Sequence, residues 1–180
     1  MRRVVALTGL SGVGKSTLIK TLSASISLEH LQASALIKDV RHAEGDASIT
    51  QDELRLVDID ENQKLLIRGF RLKTGASKGL ILLDGHTIIE QDDGLSRIDP
   101  RVFGAIGIDS MIFLVDDPEA IGERRRNDPV RKRPVPSADN LRLIQVEAQD
   151  HATSICRALS IPLYTFRPDQ AGLISQALRR

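Results

Sequence analysis

Short apolar runs alternate with segments of helical periodicity along most of the chain. Several of these runs are apolar at consecutive positions, which is typical of strands buried on both faces of a parallel sheet. Such runs predict strands at residues 4–8, 33–40, 80–84, 110–115 and 161–166. The residues from 89 to 99 are polar and predict a loop.

Helical patterns fill the segments between the predicted strands. One helix is expected from Thr17 to about residue 27, and a capping box at Thr50 and Glu53 predicts a short helix over residues 51–57. Asp60 is expected to cap a third helix, and further helices are predicted at residues 100–107, from Pro118, at 137–159 and after Asp169. Strands that alternate with helices predict a three-layer α/β/α fold around a five-stranded parallel sheet with right-handed crossovers.

The first predicted strand runs into a glycine-rich motif, G-L-S-G-V-G-K-S-T, at residues 9–17. The motif fits G-x-x-x-x-G-K-[ST], the phosphate-binding loop (P-loop) of nucleoside triphosphatases, and lies between a strand and a helix as that loop requires. Its glycines allow positive φ and close approach to a ligand, so successive N–H groups can form an anion cradle at a helix N-terminus. The candidate nucleotide-binding residues are Gly9, Leu10, Ser11, Gly12, Val13, Gly14, Lys15, Ser16 and Thr17.

Two further positions predict the chemistry of this site. Lys15 is expected to neutralise the β- and γ-phosphates, while the Ser16 hydroxyl and a carboxylate hold Mg²⁺. Asp84, at the end of the predicted strand 80–84, is the favoured carboxylate, ahead of Asp116 and Asp117, which are expected to cap the next helix. His86 follows at the strand's carboxyl end, where open α/β sheets bind ligands, and is a candidate substrate contact.

The composition limits the partners of the protein. Apolar residues make up 41% and charged residues 27%, which is ordinary for a globular protein. Aromatic residues make up only 3% and the net charge is +1, so we expect no surface that stacks nucleic-acid bases and no bulk attraction to nucleic acid or membrane. Cys156 is the one cysteine, and it is expected to be a buried hydrophobic residue of a cytoplasmic protein.

A cationic segment narrows the class of phosphate-loop protein. Residues 124–133 contain six Lys or Arg side chains and one Asp, and the prolines at 129, 134 and 136 prevent a continuous helix. Arginines on such a loop can close over phosphates and exclude water, as the lids of small kinases do. The chain lacks the N-K-x-D signature of GTPases. These features favour a small kinase.

The sequence resembles the archaeal-type adenylate kinases and related small P-loop nucleotide kinases. The resemblance rests on V-A-L-T-G-L-S-G-V-G-K-S-T, on D-E-L-R at residues 52–55, on L-I-L-L-D-G-H-T at 80–87 and on residues 108–133. It implies a single kinase domain over residues 1–180, with an acceptor-binding helical insert at 39–78 and a lid at 124–137. It implies transfer of the γ-phosphoryl group of ATP, with Mg²⁺, to a nucleoside monophosphate such as AMP.

The resemblance also assigns roles to individual arginines. Arg55 is expected to contact the phosphate of the acceptor, and Arg124 and Arg131 are expected to join Lys15 and Asp84 in catalysis. Residues 39–49 do not follow the pattern of the family, so the acceptor stays open. It can be another small molecule, such as a nucleoside, a cofactor precursor or an RNA end, or the protein can be a slow ATPase that acts as a regulatory module. The resemblance also leaves a homo-oligomer open.

Overall fold

Within the residues that it describes, the computed structural model contains seven strands. The structure describes residues 2–45, 58–91, 94–129 and 135–179. Five strands form one sheet in the order β2-β3-β1-β6-β7, and two strands form a separate ribbon, β4-β5. The strands are β1 (Arg2–Gly9), β2 (Glu29–Gln32), β3 (Gly79–Asp84), β4 (Ile88–Gln91), β5 (Gly94–Arg97), β6 (Ser110–Leu114) and β7 (Leu163–Phe166).

Helices connect the strands. In the described parts of the chain they are α1 (Lys15–Ser23), α2 (Ala33–Ala43), α3 (Ile59–Thr74), α4 (Pro100–Ile106), α5 (Pro118–Arg126), α6 (Ala138–Leu159) and α7 (Ala171–Arg179). The predicted helix over residues 51–57, with Thr50 and Glu53, lies outside the described residues. The apolar stripe predicted for the long helix is confirmed, since Leu141, Ala148, Ala152 and Ile155 are buried in α6.

All neighbouring strands of the large sheet are parallel, which confirms the predicted sheet and its strand count. β1 lies in the centre, between β3 and β6, and the side chains at positions 4–7 are at most 1% exposed. α6 packs against β1, β6 and β7, while α1 packs against β1 and α7. The chain leaves β1 towards β2 and leaves β3 towards β6, so the two connections diverge at the carboxyl edge where a ligand crevice is expected.

The second strand was predicted in the wrong place. Residues 33–40 form most of α2, and the strand is the preceding tetrapeptide, Glu29–Gln32. Leu36 and Val40 are buried one helical turn apart in α2. A short apolar segment with this spacing is compatible with a helix as well as with a strand. β2 is an edge strand in which only Leu31 is fully buried, and its polar composition concealed it.

The predicted loop at residues 89–99 is also wrong, because β4 and β5 pair there as an antiparallel ribbon. The ribbon is half-exposed, which explains its polar composition. Its sequence contains Asp93-Gly94 between Ile89 and Leu95, and such a dipeptide is the usual signal of a hairpin. Thr87 and Ile98 close its base through a backbone hydrogen bond of 2.9 Å.

Acidic and hydroxyl side chains cap several helices. Asp117 accepts hydrogen bonds from the amides of Glu119 and Ala120, as predicted for the helix that begins at Pro118. Asp58, two residues before the predicted cap, is the N-cap of α3.

Cys156 is buried, as predicted, and burial raises the pKa of its thiol to about 11. Within the described residues, none of the helices is long and apolar enough to cross a membrane.

A glycine allows α2 and α3 to approach each other closely. Gly69 lies in the interior of α3, where glycine is intrinsically unfavourable. A Cβ atom at this position would lie 2.7 Å from the carbonyl oxygen of Leu36 and 3.1 Å from Cγ2 of Val40. Leu36 and Val40 belong to α2, so the packing of this helix pair explains the glycine.

We expect Gly69→Ala to lower the free energy of unfolding by about 1–3 kcal/mol, because the added methyl group overpacks the α2–α3 contact. Gly172→Ala is the matched control, since nothing lies within 4 Å of a Cβ added to that helical position. It should leave the stability unchanged or raise it slightly. Urea denaturation of both variants measures the difference, and equal stabilities would contradict the packing role of Gly69.

Candidate active site

The motif at residues 9–17 adopts the conformation that its glycines permit. Gly9, Gly12 and Gly14 have φ angles of 139°, 83° and 107°, so the predicted positive φ is confirmed at all three. Leu10 and Val13 are buried in the core and are joined by a backbone hydrogen bond of 3.2 Å. These two apolar side chains anchor the loop, and α1 begins at Lys15 directly after it.

Positively charged or imidazole side chains hold four successive carbonyl groups of this loop. His86 Nδ1 lies 2.8 Å from the Gly9 oxygen, and Lys15 Nζ donates to Gly9 and Leu10 at 3.1 and 3.3 Å. Arg125 Nε donates to the Ser11 oxygen at 2.9 Å, and Arg124 Nη1 donates to the Gly12 oxygen at 3.0 Å. These contacts give the carbonyl groups their donors. The Val13 amide donates to the Leu10 carbonyl, and the other amides of the loop are the candidate donors to an anion.

Asp84 lies at the carboxyl end of β3, beside Lys15. Its Oδ1 atom is 4.0 Å from Lys15 Nζ, and its Oδ2 atom is 3.9 Å from Nε2 of His30, which lies on β2. Burial acts to raise the pKa of Asp84, but the interaction with His30 and the positive charge of Lys15 outweigh it and lower that pKa. The carboxyl group is therefore ionised at neutral pH, as a metal ligand must be.

A second buried carboxylate binds two arginines on the other side of the loop. Asp116 contacts the Arg124 guanidinium and accepts from Arg167 Nη2 at 2.8 Å. Burial opposes ionisation of Asp116, but Arg124, a backbone hydrogen bond and Arg167 together lower its pKa. Gln145 fixes the backbone of Asp116 through bonds of 3.0 Å to its amide and its carbonyl. Asp116 thus orients Arg124, whereas Asp84 lies beside Lys15.

A cavity of about 640 Å³ extends from the loop across the carboxyl edge of the sheet. One end is polar and includes Lys15, Asp84 and Arg124. The other end lies against α2 and α3 and combines aliphatic side chains with carboxamides, namely Ile37, Ile59, Leu66, Gln32, Asn62 and Gln63. One continuous space therefore joins the anion cradle to a second compartment, the part of the cavity lined by α2 and α3.

The structure brings most of the predicted site residues together. Six residues of the motif line the cavity together with Asp84, His86 and Arg124, namely Ser11, Gly12, Gly14, Lys15, Ser16 and Thr17. Leu10 and Val13 lie in the core instead, and Arg55 and Arg131 lie outside the described residues.

Sequence reasoning missed three side chains of this region. His30 was overlooked because its strand was not predicted, and Glu90 because its ribbon was taken for a loop. Arg125 belongs to the predicted cationic segment, but it was not distinguished there from its neighbours. The signal for Glu90 was the hairpin dipeptide that follows it, and nothing in the local sequence separates Arg125 from Arg124.

The residues present fit a nucleotide phosphate and a magnesium ion. A Cβ atom at Gly9 would lie 2.7 Å from the Leu114 oxygen, so the backbone there tolerates only glycine. The Ser16 hydroxyl and the Asp84 carboxylate are hard oxygen donors, which Mg²⁺ prefers. Within the described ranges there is no cluster of three His, Cys, Asp or Glu side chains that could hold a metal alone. One carboxylate, one hydroxyl and phosphate oxygens form the usual protein environment of Mg²⁺.

Comparisons with known proteins agree with this geometry. Residues 8–142, which are more than half of the chain, match the family described as AAA domain. An adenylate kinase from Thermoplasma acidophilum is 29% identical over 143 residues, which are 79% of this chain and 75% of that protein.

Solved structures give the same fold at low sequence identity. A shikimate kinase from Bacteroides thetaiotaomicron has a TM-score of 0.58 at 19% identity and covers 98% of this chain and 96% of its own. A shikimate kinase from Acinetobacter baumannii in complex with shikimate has a TM-score of 0.59 at 17% identity, with coverages of 99% and 93%. The family match shows that the chain belongs to the AAA domain family. With the phosphate loop, Lys15 and Asp84, it identifies the protein as a small P-loop kinase.

Proposed function

We propose that this protein is a nucleoside monophosphate kinase, which transfers the γ-phosphoryl group of ATP to a nucleotide acceptor with AMP as the first candidate. The observation that carries the proposal is the second compartment of the cavity. It is continuous with the phosphate loop, so an acceptor bound there would share one cavity with the donor phosphates. α3 lies within the predicted acceptor insert at residues 39–78, whereas the α2 residues that line the cavity precede it.

The chemistry of this compartment favours a heterocyclic base. Ile37, Ile59 and Leu66 offer aliphatic surfaces for the faces of a ring, and Asn62 and Gln63 offer donors and acceptors for its edge. Among the described residues of α2 and α3 that line the cavity, none is charged, so these walls suit the uncharged base of a nucleotide. The relationship to an adenylate kinase supports the same choice.

Each residue near the loop has a role in this proposal. The loop amides and Lys15 bind and align the β- and γ-phosphates, and Arg124, whose side chain is 43% exposed, contributes positive charge at the same edge. Bound Mg²⁺, held by Ser16 and Asp84, would supply neutralisation of the phosphate oxygens. Because a transferring phosphoryl group is loose and metaphosphate-like, alignment and charge suffice and no strong base is needed.

His86 is oriented for a polar contact with substrate. A carbonyl oxygen only accepts, so the bond to Gly9 requires the proton on Nδ1. In the neutral imidazole, Nε2 is then a hydrogen-bond acceptor. His86 therefore links the end of β3 to the first residue of the phosphate loop. The acceptor at Nε2 supports the prediction that His86 contacts the substrate.

Lys15→Ala should lower the turnover number by a factor on the order of 10²–10³, because the transferring group loses its nearest fixed charge. The fold should persist, since the small side chain leaves the loop glycines unchanged. Lys20→Ala, on the exposed side of the same helix, is the matched control and should retain activity. A coupled assay of ADP formation measures both variants. Near-normal activity of Lys15→Ala would contradict the assignment of the site.

An acceptor panel tests the identity of the substrate. ADP formation from Mg²⁺-ATP is measured with AMP, other nucleoside monophosphates, a nucleoside, shikimate and a short RNA end. We expect AMP or another nucleoside monophosphate to give the highest kcat/KM. If shikimate gave the highest kcat/KM, the proposal would be wrong, and the protein would have the activity for which its structural neighbours are named. Hydrolysis that no acceptor stimulates would favour a regulatory ATPase.

Asp84→Asn should raise the Mg²⁺ concentration that gives half-maximal activity, because the variant keeps the shape of the side chain but loses the anionic ligand. The maximal rate should also fall. Asp139→Asn, which alters an exposed ion pair with Arg142, is the control and should follow the wild-type magnesium curve. A magnesium titration at saturating ATP gives the comparison. Superimposable curves for Asp84→Asn and wild type would exclude Asp84 as a metal ligand.

A further inference from the structure

Arg125 is a buried arginine with all its polar contacts inside the protein. Its side chain is 1% exposed, and its Nε atom donates to the Ser11 carbonyl at 2.9 Å. Its two terminal nitrogens donate to the two carboxylate oxygens of Glu90 at 2.8 and 2.6 Å. This fork-to-fork geometry fixes the orientation of the guanidinium as well as neutralising its charge.

This arrangement gives Arg125 a role different from that of Arg124. The terminal nitrogens of Arg125 are engaged by Glu90, whereas the Arg124 side chain is 43% exposed at the edge of the cavity. The aliphatic stem of Arg125 also lies against the loop, because a Cβ atom at Gly12 would be 3.0 Å from Arg125 Cγ. Arg125 therefore supports the phosphate loop and, with Glu90, forms part of the cavity wall.

Glu90 belongs to the ribbon β4–β5, which forms no strand pairing with the main sheet. The base of the ribbon is held to α6, since Thr87 Oγ1 donates to the Ala148 carbonyl at 3.0 Å and His151 Nε2 lies 2.8 Å from the Ile98 carbonyl. The Glu90–Arg125 pair joins the same ribbon to the loop through Ser11. Ile88, Ile89 and Glu90 also line the cavity, so the ribbon is a wall of the site.

We propose that Glu90 is a positioning residue, which holds the phosphate loop in its nucleotide-binding conformation by fixing Arg125 against the Ser11 carbonyl. Loss of one partner of a buried ion pair leaves an uncompensated charge, which must then find other groups. Without the Glu90 carboxylate, the two terminal nitrogens of Arg125 lose their described partner, and the contact with the Ser11 carbonyl is the one that remains. Removal of the Glu90 charge should therefore disturb the donor site more than the global fold. The inference rests on the proposed role of the loop in nucleotide binding.

The test compares Glu90→Gln and Glu90→Ala with the wild type at a temperature where all three are folded. Titration calorimetry with ADP and with ATP, in the absence of any acceptor, gives the dissociation constants. We expect these to rise on the order of tenfold, the size of effect that loss of a ligand-orienting partner often has. Glu90→Gln keeps the shape of the side chain, so its effect reports the lost charge and not a cavity. Glu147→Gln, which alters the exposed pair with Arg97 on β5, is the matched control and should bind as the wild type does.

Amide hydrogen exchange of the nucleotide-free proteins provides a second readout that needs no ligand. Glu90→Gln should speed exchange in peptides that cover residues 9–17 and leave exchange in α7 unchanged. Arg125→Lys, which cannot form the two-nitrogen pair, should behave like Glu90→Gln, and the double variant should be no worse than either single one.

The two proposals fail in different ways. Wild-type affinity and wild-type exchange in the Glu90 variants would overturn the positioning role while leaving the kinase assignment intact. Uniformly faster exchange over the whole chain would also overturn it, because Glu90 would then serve only global stability. A wild-type protein that binds no nucleotide would contradict the proposed function, and the exchange experiment would still decide the role of Glu90.

Discussion

The site depends on the way that cationic side chains hold the carbonyl oxygens of the phosphate loop. A loop that presents its amides to an anion must direct its carbonyls elsewhere, and buried carbonyls need donors. Here Lys15, His86, Arg124 and Arg125 supply those donors to the oxygens of residues 9–12. The charged side chains that hold the loop also make the electrostatic potential around it more positive. The conformation of the loop and the potential therefore both favour the binding of phosphate.

Carboxylates on three different elements keep these cations in place. Asp84 at the end of β3 faces Lys15, Asp116 after β6 binds Arg124, and Glu90 on the ribbon binds Arg125. Each pair lies at least partly in the interior, where an unpaired charge is costly. The loop is therefore tied to β3, α5 and the β4–β5 ribbon at once, and the walls of the cavity are held in a fixed relation to the donor site.

The sheet explains why these carboxylates meet. β3 and β6 flank β1 in parallel, so their carboxyl ends lie on either side of the loop that follows β1. The connections from β1 and β3 diverge, which opens the crevice between them. α2 and α3 line the other end of the cavity, and Gly69 allows these two helices to pack closely.

Local sequence determined the buried strands β1, β3 and β6, the phosphate loop, the parallel sheet and the choice of Lys15 and Asp84 as candidate site residues. Consecutive apolar residues and a glycine motif of fixed spacing carry their own physical reason, so they can be recognised without neighbours. Tertiary structure determined the conformation of β2, α2 and the ribbon. Polar edge strands resemble loops in sequence, and a short apolar run is compatible with a strand or a helix. The partners of Arg124 and Arg125 were likewise unreadable, since adjacent arginines on one helix become different only when distant carboxylates, Asp116 and Glu90, meet them in the fold.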